Sequence, residues 1–291
     1  MMMGNKTELK ISQLTFWEPP APAQWIDFTR RNDPAAPFWA RRLQEQLDTQ
    51  ARPDVLCFWT KAPAVVAALY GSRIRALQQA GTLVLAQVTD NHYGRVLEPG
   101  ILPERANLQP LVELLGAQAI RLRFDPIIPS FTTVDHFQAC LEDALRYSIR
   151  RITINWIVIK RYRNVAARLR RVGIEPEEAT EAEQAVFARD LQAQAGGRVD
   201  LAVCAENHNL VKQVPELKTA ACADMTWAAT IRPDLAGRFK RHASRTGCGC
   251  CYSADWGVYA SQRVPKCVHG CVYCYAGSNL RSRALYDPSR R

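Results

Sequence analysis

Between Trp25 and Asp234 the chain alternates short apolar runs with helix-like segments, and this alternation restricts the possible folds more than any single residue does. Strands are expected at Trp25–Thr29, Asp54–Thr60, Thr82–Thr89, Gln118–Phe124, Arg151–Ile159 and Arg198–Ala205. Helices are expected at Phe38–Leu47, Ala64–Ala80, Leu108–Leu115, Val134–Tyr147, Asn164–Arg171 and Glu177–Ala195, with a long loop over Asp90–Asn107. Strands separated by helices pair in parallel. Six such units predict an α/β fold, a parallel (β/α)6-type partial TIM-like barrel, with a complete eight-stranded barrel as the alternative. Ile120, Leu122 and Phe124 alternate with Arg121, Arg123 and Asp125, and Ile152, Ile154 and Trp156 alternate with Thr153 and Asn155. Such period-two patterning predicts one face against the helices and a polar inner wall around a reaction chamber.

Parallel folds place ligands at the C-terminal ends of their strands. Those ends carry Arg30, Arg31 and Asp33; Trp59 and Lys61; Thr89 and Asp90; Arg123 and Asp125; Lys160, Arg161 and Arg163; and Cys204, Glu206 and Asn207. Asp125, Lys160 and Glu206 are the candidates to face a substrate, and Arg30, Arg31, Lys61 and Arg123 to position a cofactor. Arg123 with Asp125 also reads as an internal ion pair, because buried charges are generally paired. Arg161 reads as solvated, and His208 and His269 read as hydrogen-bonding residues rather than ligands.

Six of the ten cysteines fall between Cys248 and Cys274. Cys267, Cys271 and Cys274 have the spacing C-x3-C-x2-C, which lets three thiolates converge on one face of a 4Fe–4S cluster and leaves an iron open for substrate or cofactor. Zinc is the competing reading, with Cys250, Cys251, Cys271 and Cys274 as a tetrahedral set. Ten cysteines without an export signal indicate metal chemistry in a reducing cytoplasm rather than disulfides. Cys57 and Cys140 read as core residues.

Charge divides the chain unevenly. Of a net +10, residues 238–291 supply ten basic and two acidic side chains. The chain therefore reads as an N-terminal extension (1–24), a (β/α) barrel domain (25–237) and a basic, cysteine-rich tail (238–291) folded over the strand ends. A basic tail can attract nucleic acid or can offset ligating thiolates. No apolar run approaches the roughly 20 residues of a membrane span.

The C-x3-C-x2-C run resembles the signature of the radical S-adenosylmethionine (SAM) superfamily, and Cys267-Val-His-Gly-Cys-Val-Tyr-Cys-Tyr-Ala is similar to its spore-photoproduct-lyase-like branch. That resemblance implies a 4Fe–4S cluster whose fourth iron binds SAM, with Tyr273 near SAM. Two departures stand out: the motif closes the chain instead of following the first strand, and no Gly-Gly-Glu run follows strand two. The whole set Arg30-Arg-Asn-Asp-Pro, Phe58-Trp-Thr-Lys-Ala-Pro, Arg123-Phe-Asp-Pro-Ile, Cys204-Ala-Glu, Cys222-Ala-Asp, Cys248-Gly-Cys and Asp255-Trp-Gly-Val-Tyr resembles the domain-of-unknown-function 1848 family from about Trp25 to Ala276. The family's first strand end usually reads Ser-Arg-Arg-Thr-Asp-Ile-Pro, against Thr29-Arg-Arg-Asn-Asp-Pro-Ala here, and Cys251 is additional. Cys204, Cys222, Cys248 and Cys250 are family positions outside the loop, which suggests a second, auxiliary 4Fe–4S cluster.

The expectation is an iron–sulfur, radical-SAM-like enzyme acting on a small-molecule or anionic substrate, with an electron donor such as flavodoxin or ferredoxin. A SAM-independent iron–sulfur enzyme or electron carrier, and a zinc-stabilised nucleic-acid-binding module, are the alternatives.

Overall fold

A computed structural model of the protein describes residues 21–30, 32–160, 162–204, 207, 209–242, 247–257 and 267–275. Its centre is a single sheet of eight parallel strands in the order β7-β6-β5-β4-β3-β2-β1-β8. The strands are β1 (Trp25–Phe28), β2 (Val55–Thr60), β3 (Leu83–Thr89), β4 (Ile120–Ile127), β5 (Arg151–Trp156), β6 (Asp200–Cys204), β7 (Lys218–Ala220) and β8 (Ser253–Asp255). The helices between them are α1 (Pro37–Thr49), α2 (Pro63–Gln79), α3 (Gly94–Leu97), α4 (Pro103–Ala106), α5 (Gln109–Leu115), α6 (Val134–Arg146), α7 (Arg163–Arg171), α8 (Glu181–Ala195), α9 (Leu210–Gln213) and α10 (Met225–Ile231).

The expected six strands are all present, and the count is corrected to eight. Strands β7 and β8 are three residues each and carry little apolar sequence, so neither has a readable period. Strand β8 lies within 238–291, yet it pairs with β1 in the register Trp25↔Ser253, Ile26↔Ala254, Asp27↔Asp255. Among the described residues no ladder joins β7 to β8. The segments beside these edge strands nevertheless meet: Cys222 N–H donates to Cys250 Sγ at 3.1 Å and Cys251 N–H to the Ala223 carbonyl at 3.0 Å. The two edges of the sheet therefore curve toward each other.

The helix-facing side is the core. Ile26, Phe28, Leu56, Phe58, Ile154 and Val203 are completely buried. Phe28 meets Phe58, Tyr70 and Trp39 edge-on, with ring centroids 5.7, 6.1 and 6.1 Å away. Edge-to-face geometry suits the ring quadrupoles and contributes about 0.5–1.5 kcal/mol per pair beyond the area buried. Helix α8 starts at a capping box, in which Glu183 N–H donates to Thr180 Oγ1 (3.3 Å) and Thr180 N–H to Glu183 Oε2 (2.8 Å). It begins at Glu181, later than the expected Glu177, because Thr180 supplies the cap.

The opposite face is polar and buried as well. Asp27, Gln87, Arg121, Arg123 and Thr153 are each less than a tenth exposed. Register aligns Gln87 with Arg121, and Arg123 with Thr153, so these side chains share the inner face of the curved sheet. Among the described residues, no helix is long and apolar enough to cross a membrane.

Candidate metal centres

Inner-face charges are paired, as burial demands. Asp27 receives Arg30 Nη2 at 2.7 Å and Trp59 Nε1 at 2.9 Å. Burial raises the Asp27 carboxyl above its ordinary value despite Arg30 and those hydrogen bonds. Arg121 bonds Asp224 at 2.5 Å and the Ala221 carbonyl at 2.7 Å, and lies 4.5 Å from the Trp227 ring centroid. Arg123 pairs with Asp125 and donates to Gln87 Oε1 at 3.2 Å; Gln87 in turn donates to the Cys222 carbonyl at 2.7 Å. The internal Arg123–Asp125 pair expected from the alternation is therefore present. The Arg30 and Arg123 guanidiniums both face the Trp59 ring, at 5.4 and 4.9 Å from its centroid.

None of the ten cysteines is joined in a disulfide. Cys57 and Cys140 are fully buried in the core, as expected. The others, apart from Cys251, form two groups. In the first, the Cys222 thiol hydrogen-bonds with Cys204 and Cys250, and Cys250 with Cys248. Hydrogen bonds from Cys204 and Cys250, with Arg123 and Arg30 behind them, hold the Cys222 thiol well below its ordinary value, while the same bonds and burial push Cys250 up. Four cysteine side chains near two guanidiniums, with Cys250 Sγ accepting a backbone N–H, are a suitable donor set for a thiophilic metal centre. Three chain segments widely separated in sequence meet here.

The second group lies on the turn Cys267–Cys274. Gly270 has φ +61°, a left-handed conformation that costs glycine little and allows the chain to reverse between Cys267 and Cys271. Val272 N–H donates to the Leu97 carbonyl at 2.9 Å, and Gly100 N–H to the His269 carbonyl at 2.9 Å. A Cβ on Gly100 would lie 2.5 Å from the Val268 carbonyl oxygen and 2.7 Å from His269 Cα, so only glycine admits the loop this closely. Arg168, 6% exposed, binds the Val272 carbonyl through Nε at 2.7 Å and the Cys274 carbonyl through Nη2. The turn is thus held from several sides by groups outside it.

Polar residues after β1, β2 and β3 complete this site. Asp33 receives Lys61 N–H (2.6 Å), Thr60 Oγ1 (2.9 Å) and Ala35 N–H (2.9 Å), and lies 2.9 Å from His269 Nε2. His269 therefore contacts Asp33 as an ion pair, while neither of its buried ring nitrogens has a hydrogen bond of regular geometry. Burial opposes ionisation of Asp33, but His269 and these backbone donors hold its carboxyl below the ordinary 3.8. Glu98 accepts from Lys61 Nζ at 2.8 Å and from the Tyr273 hydroxyl, which in turn accepts from Asn91 Nδ2 at 3.0 Å. Burial works against charge on Glu98 as well; Lys61 and Tyr273 nonetheless hold it below 4.5. The Lys61 ammonium sits 5.2 Å from the Tyr273 ring centroid. Burial pushes the Cys267 thiol up to about 12, with Asp33 adding to the rise, and pushes Cys271 well up against the opposing pull of Lys61. Three half-buried cysteines on one turn, next to an ammonium, fit an iron–sulfur cluster that takes three protein ligands.

The structure therefore brings Lys61, Tyr273, Cys267, Cys271 and Cys274 together in one place, and Arg30, Arg123, Cys204, Cys222, Cys248 and Cys250 in another. Asp125 is joined to the first set through Asn91, whose Nδ2 also reaches the Asp125 carbonyl at 3.1 Å. Lys160 does not face the interior. Its side chain is 88% exposed and pairs with Glu178 at 3.5 Å, because the chain turns outward before α7. Arg31 and Glu206, with Arg161 and His208, lie outside the described residues. The zinc set Cys250, Cys251, Cys271 and Cys274 is divided between the two groups, and Cys251 itself is buried. Sequence reasoning missed Glu98, Asn91 and Arg168. A lone Glu or Asn in a long loop carries no signal, and Arg168 sits in a helix so rich in arginine that it reads as a solvated face.

A search of curated proteins finds no match. A family model described as "Domain of unknown function (DUF1848)" matches residues 31–276, spanning both thiol groups and nearly the whole sheet, and the chain belongs to that family.

Proposed function

We propose that the protein is a radical-SAM-like iron–sulfur enzyme of a reducing compartment. Cys267, Cys271 and Cys274 would hold a 4Fe–4S cluster with an open iron, and Cys204, Cys222, Cys248 and Cys250 a second centre. One observation carries this reading: seven cysteines outside any disulfide gather in two groups, each beside a largely buried cationic side chain, Arg123 or Lys61. When bound, an open-iron cluster supplies one-electron reduction to SAM held at that iron. The chain's own residues bind, orient and exclude water. Lys61 offsets thiolate charge while Glu98 and Asn91 fix the Tyr273 ring. Arg30 and Arg123, both against the Trp59 ring, supply positive charge for an anionic substrate, and Asp125 sets the angle of Arg123. The reductant would be a flavodoxin or ferredoxin.

A second reading applies to the Cys222 group. Four cysteines can also supply an all-thiolate tetrahedral zinc site, with Zn–S of about 2.3 Å. Iron, sulfide and zinc per chain, measured on protein purified without oxygen, separate these readings when repeated on Cys271→Ala and Cys222→Ala. Loss of iron and sulfide in Cys271→Ala, with an EPR signal of the reduced wild type that shifts on adding SAM, is the expected result. A cluster that ignores SAM would leave an iron–sulfur protein without radical chemistry. Zinc alone would overturn the proposal.

A further inference from the structure

Sharing no residue with either thiol group, Asp90, His92 and Asp143 converge. Asp90 follows β3, and its N–H is fixed by the Arg123 carbonyl at 3.0 Å. Two residues later His92 takes a left-handed conformation, φ +54°, which directs the next part of the chain and its ring toward α6. Asp143 lies on α6. His92 Nε2 is 3.1 Å from Asp90 Oδ1 and 3.1 Å from Asp143 Oδ2, and the three donor atoms all lie within 4.8 Å of one another.

The spacing decides what occupant fits. An imidazolium carries one proton on Nε2 and gives one linear hydrogen bond, whereas two carboxylate oxygens stand at the same distance here. Ligands about 2.1 Å from a common cation lie roughly 3.0–3.4 Å apart in octahedral or tetrahedral geometry, which matches 3.1 Å. Two carboxylates and a neutral imidazole sum to two negative charges. Asp90 Oδ2 is buried without a hydrogen-bond partner, so the second oxygen of this ligand is also available for coordination. His92, Asp90 and Asp143 side chains are 36, 16 and 22% exposed, which leaves room for water to fill the remaining positions.

We infer that Asp90, His92 and Asp143 bind a divalent first-row transition-metal cation. Imidazole with two carboxylates selects manganese, iron, cobalt or zinc over magnesium or calcium, which favour all-oxygen sites. Asn91, between two of these residues, contacts both Asp125 and Tyr273, so the site sits next to the Cys267–Cys274 turn without sharing a donor with it.

Mn2+ is the probe of choice, because thiolates compete poorly for it. The full-length protein, prepared without oxygen, is titrated with Mn2+ while the EPR signal of the free aqua ion is followed. One Mn2+ per chain is expected, with nitrogen modulation from a ligated imidazole in the pulsed EPR spectrum. His92→Gln should abolish that modulation and weaken binding tenfold or more; Asp143→Asn should weaken it without removing the modulation. Absence of saturable binding below about 1 mM overturns the inference. So does bound Mn2+ without nitrogen modulation in the wild type, a result that needs no variant to fold.

Discussion

Replacing Glu98 by Gln tests whether Lys61, Glu98 and Tyr273 act as one unit. Glu98 and Lys61 side chains are 7 and 15% exposed and meet at 2.8 Å. Gln keeps the shape and an acceptor for Tyr273 but leaves the buried Lys61 ammonium without its carboxylate partner. Removing one partner of a buried pair costs about 3–5 kcal/mol, and the retained acceptor sets the expectation at the lower end, about 3 kcal/mol. At about 2–4 °C per kcal/mol for a large domain, the melting temperature should fall by about 6–12 °C. The assay is urea and thermal unfolding at pH 7 of the wild type, Glu98→Gln, Lys61→Met and the double variant. Because the double variant removes both charges, it should lose less than the sum of the singles, with a coupling energy of about 2 kcal/mol or more. Losses that add to within about 0.5 kcal/mol would refute the reasoning. Acid provides a second check. Glu98 is held below 4.5, so its contribution is complete above that pH and disappears as pH falls through the lower folded-state value. The gap between wild type and Glu98→Gln should therefore close in acid.

Other expectations follow from single contacts. Gly100→Ala should displace the Cys267–Cys274 turn and lower both iron content and stability, by about 1–3 kcal/mol, since its Cβ has backbone at 2.5 and 2.7 Å. Gly71→Ala, in the middle of α2 with its nearest new contact at 3.6 Å, should be neutral or stabilising by up to about 1 kcal/mol in the same unfolding assay. Asp33, also held below its ordinary value, should make stability decline as pH falls below about 3.8, and Asp33→Asn should flatten that part of an acid-unfolding profile. Arg168→Lys cannot span the Val272 and Cys274 carbonyls with a single ammonium, so faster loss of iron to a chelator is expected without a large change in overall fold.

Much of this arrangement is written locally in the chain. Alternation of apolar strands and helices determined the α/β class, because period two and period 3.6 are properties of a few consecutive residues. Ile120, Leu122 and Phe124 marked the core face of β4 in the same way. The three thiols of Cys267–Cys274 were legible because one short turn carries them. Cys57 and Cys140 were legible as core residues from their apolar settings.

Tertiary structure decided the rest. Strands β7 and β8 are too short to hold a period and exist because the neighbouring strands β6 and β1 offer ladder partners. Alternation separated Arg121 and Arg123 from their apolar neighbours, but only curvature of the sheet buried them and supplied Asp224, Gln87 and Trp59 as partners. Cys204, Cys222 and Cys250 become neighbours only when β6, β7 and the segment before β8 meet. Lys160 read as facing a substrate and Arg168 went unnoticed; the first reaches solvent and the second is buried against two carbonyls, because the turn Cys267–Cys274 packs against α7 at Arg168. Composition and spacing describe what a residue can do. The contacts that select among those possibilities come from segments distant in the chain, and folding alone brings them together.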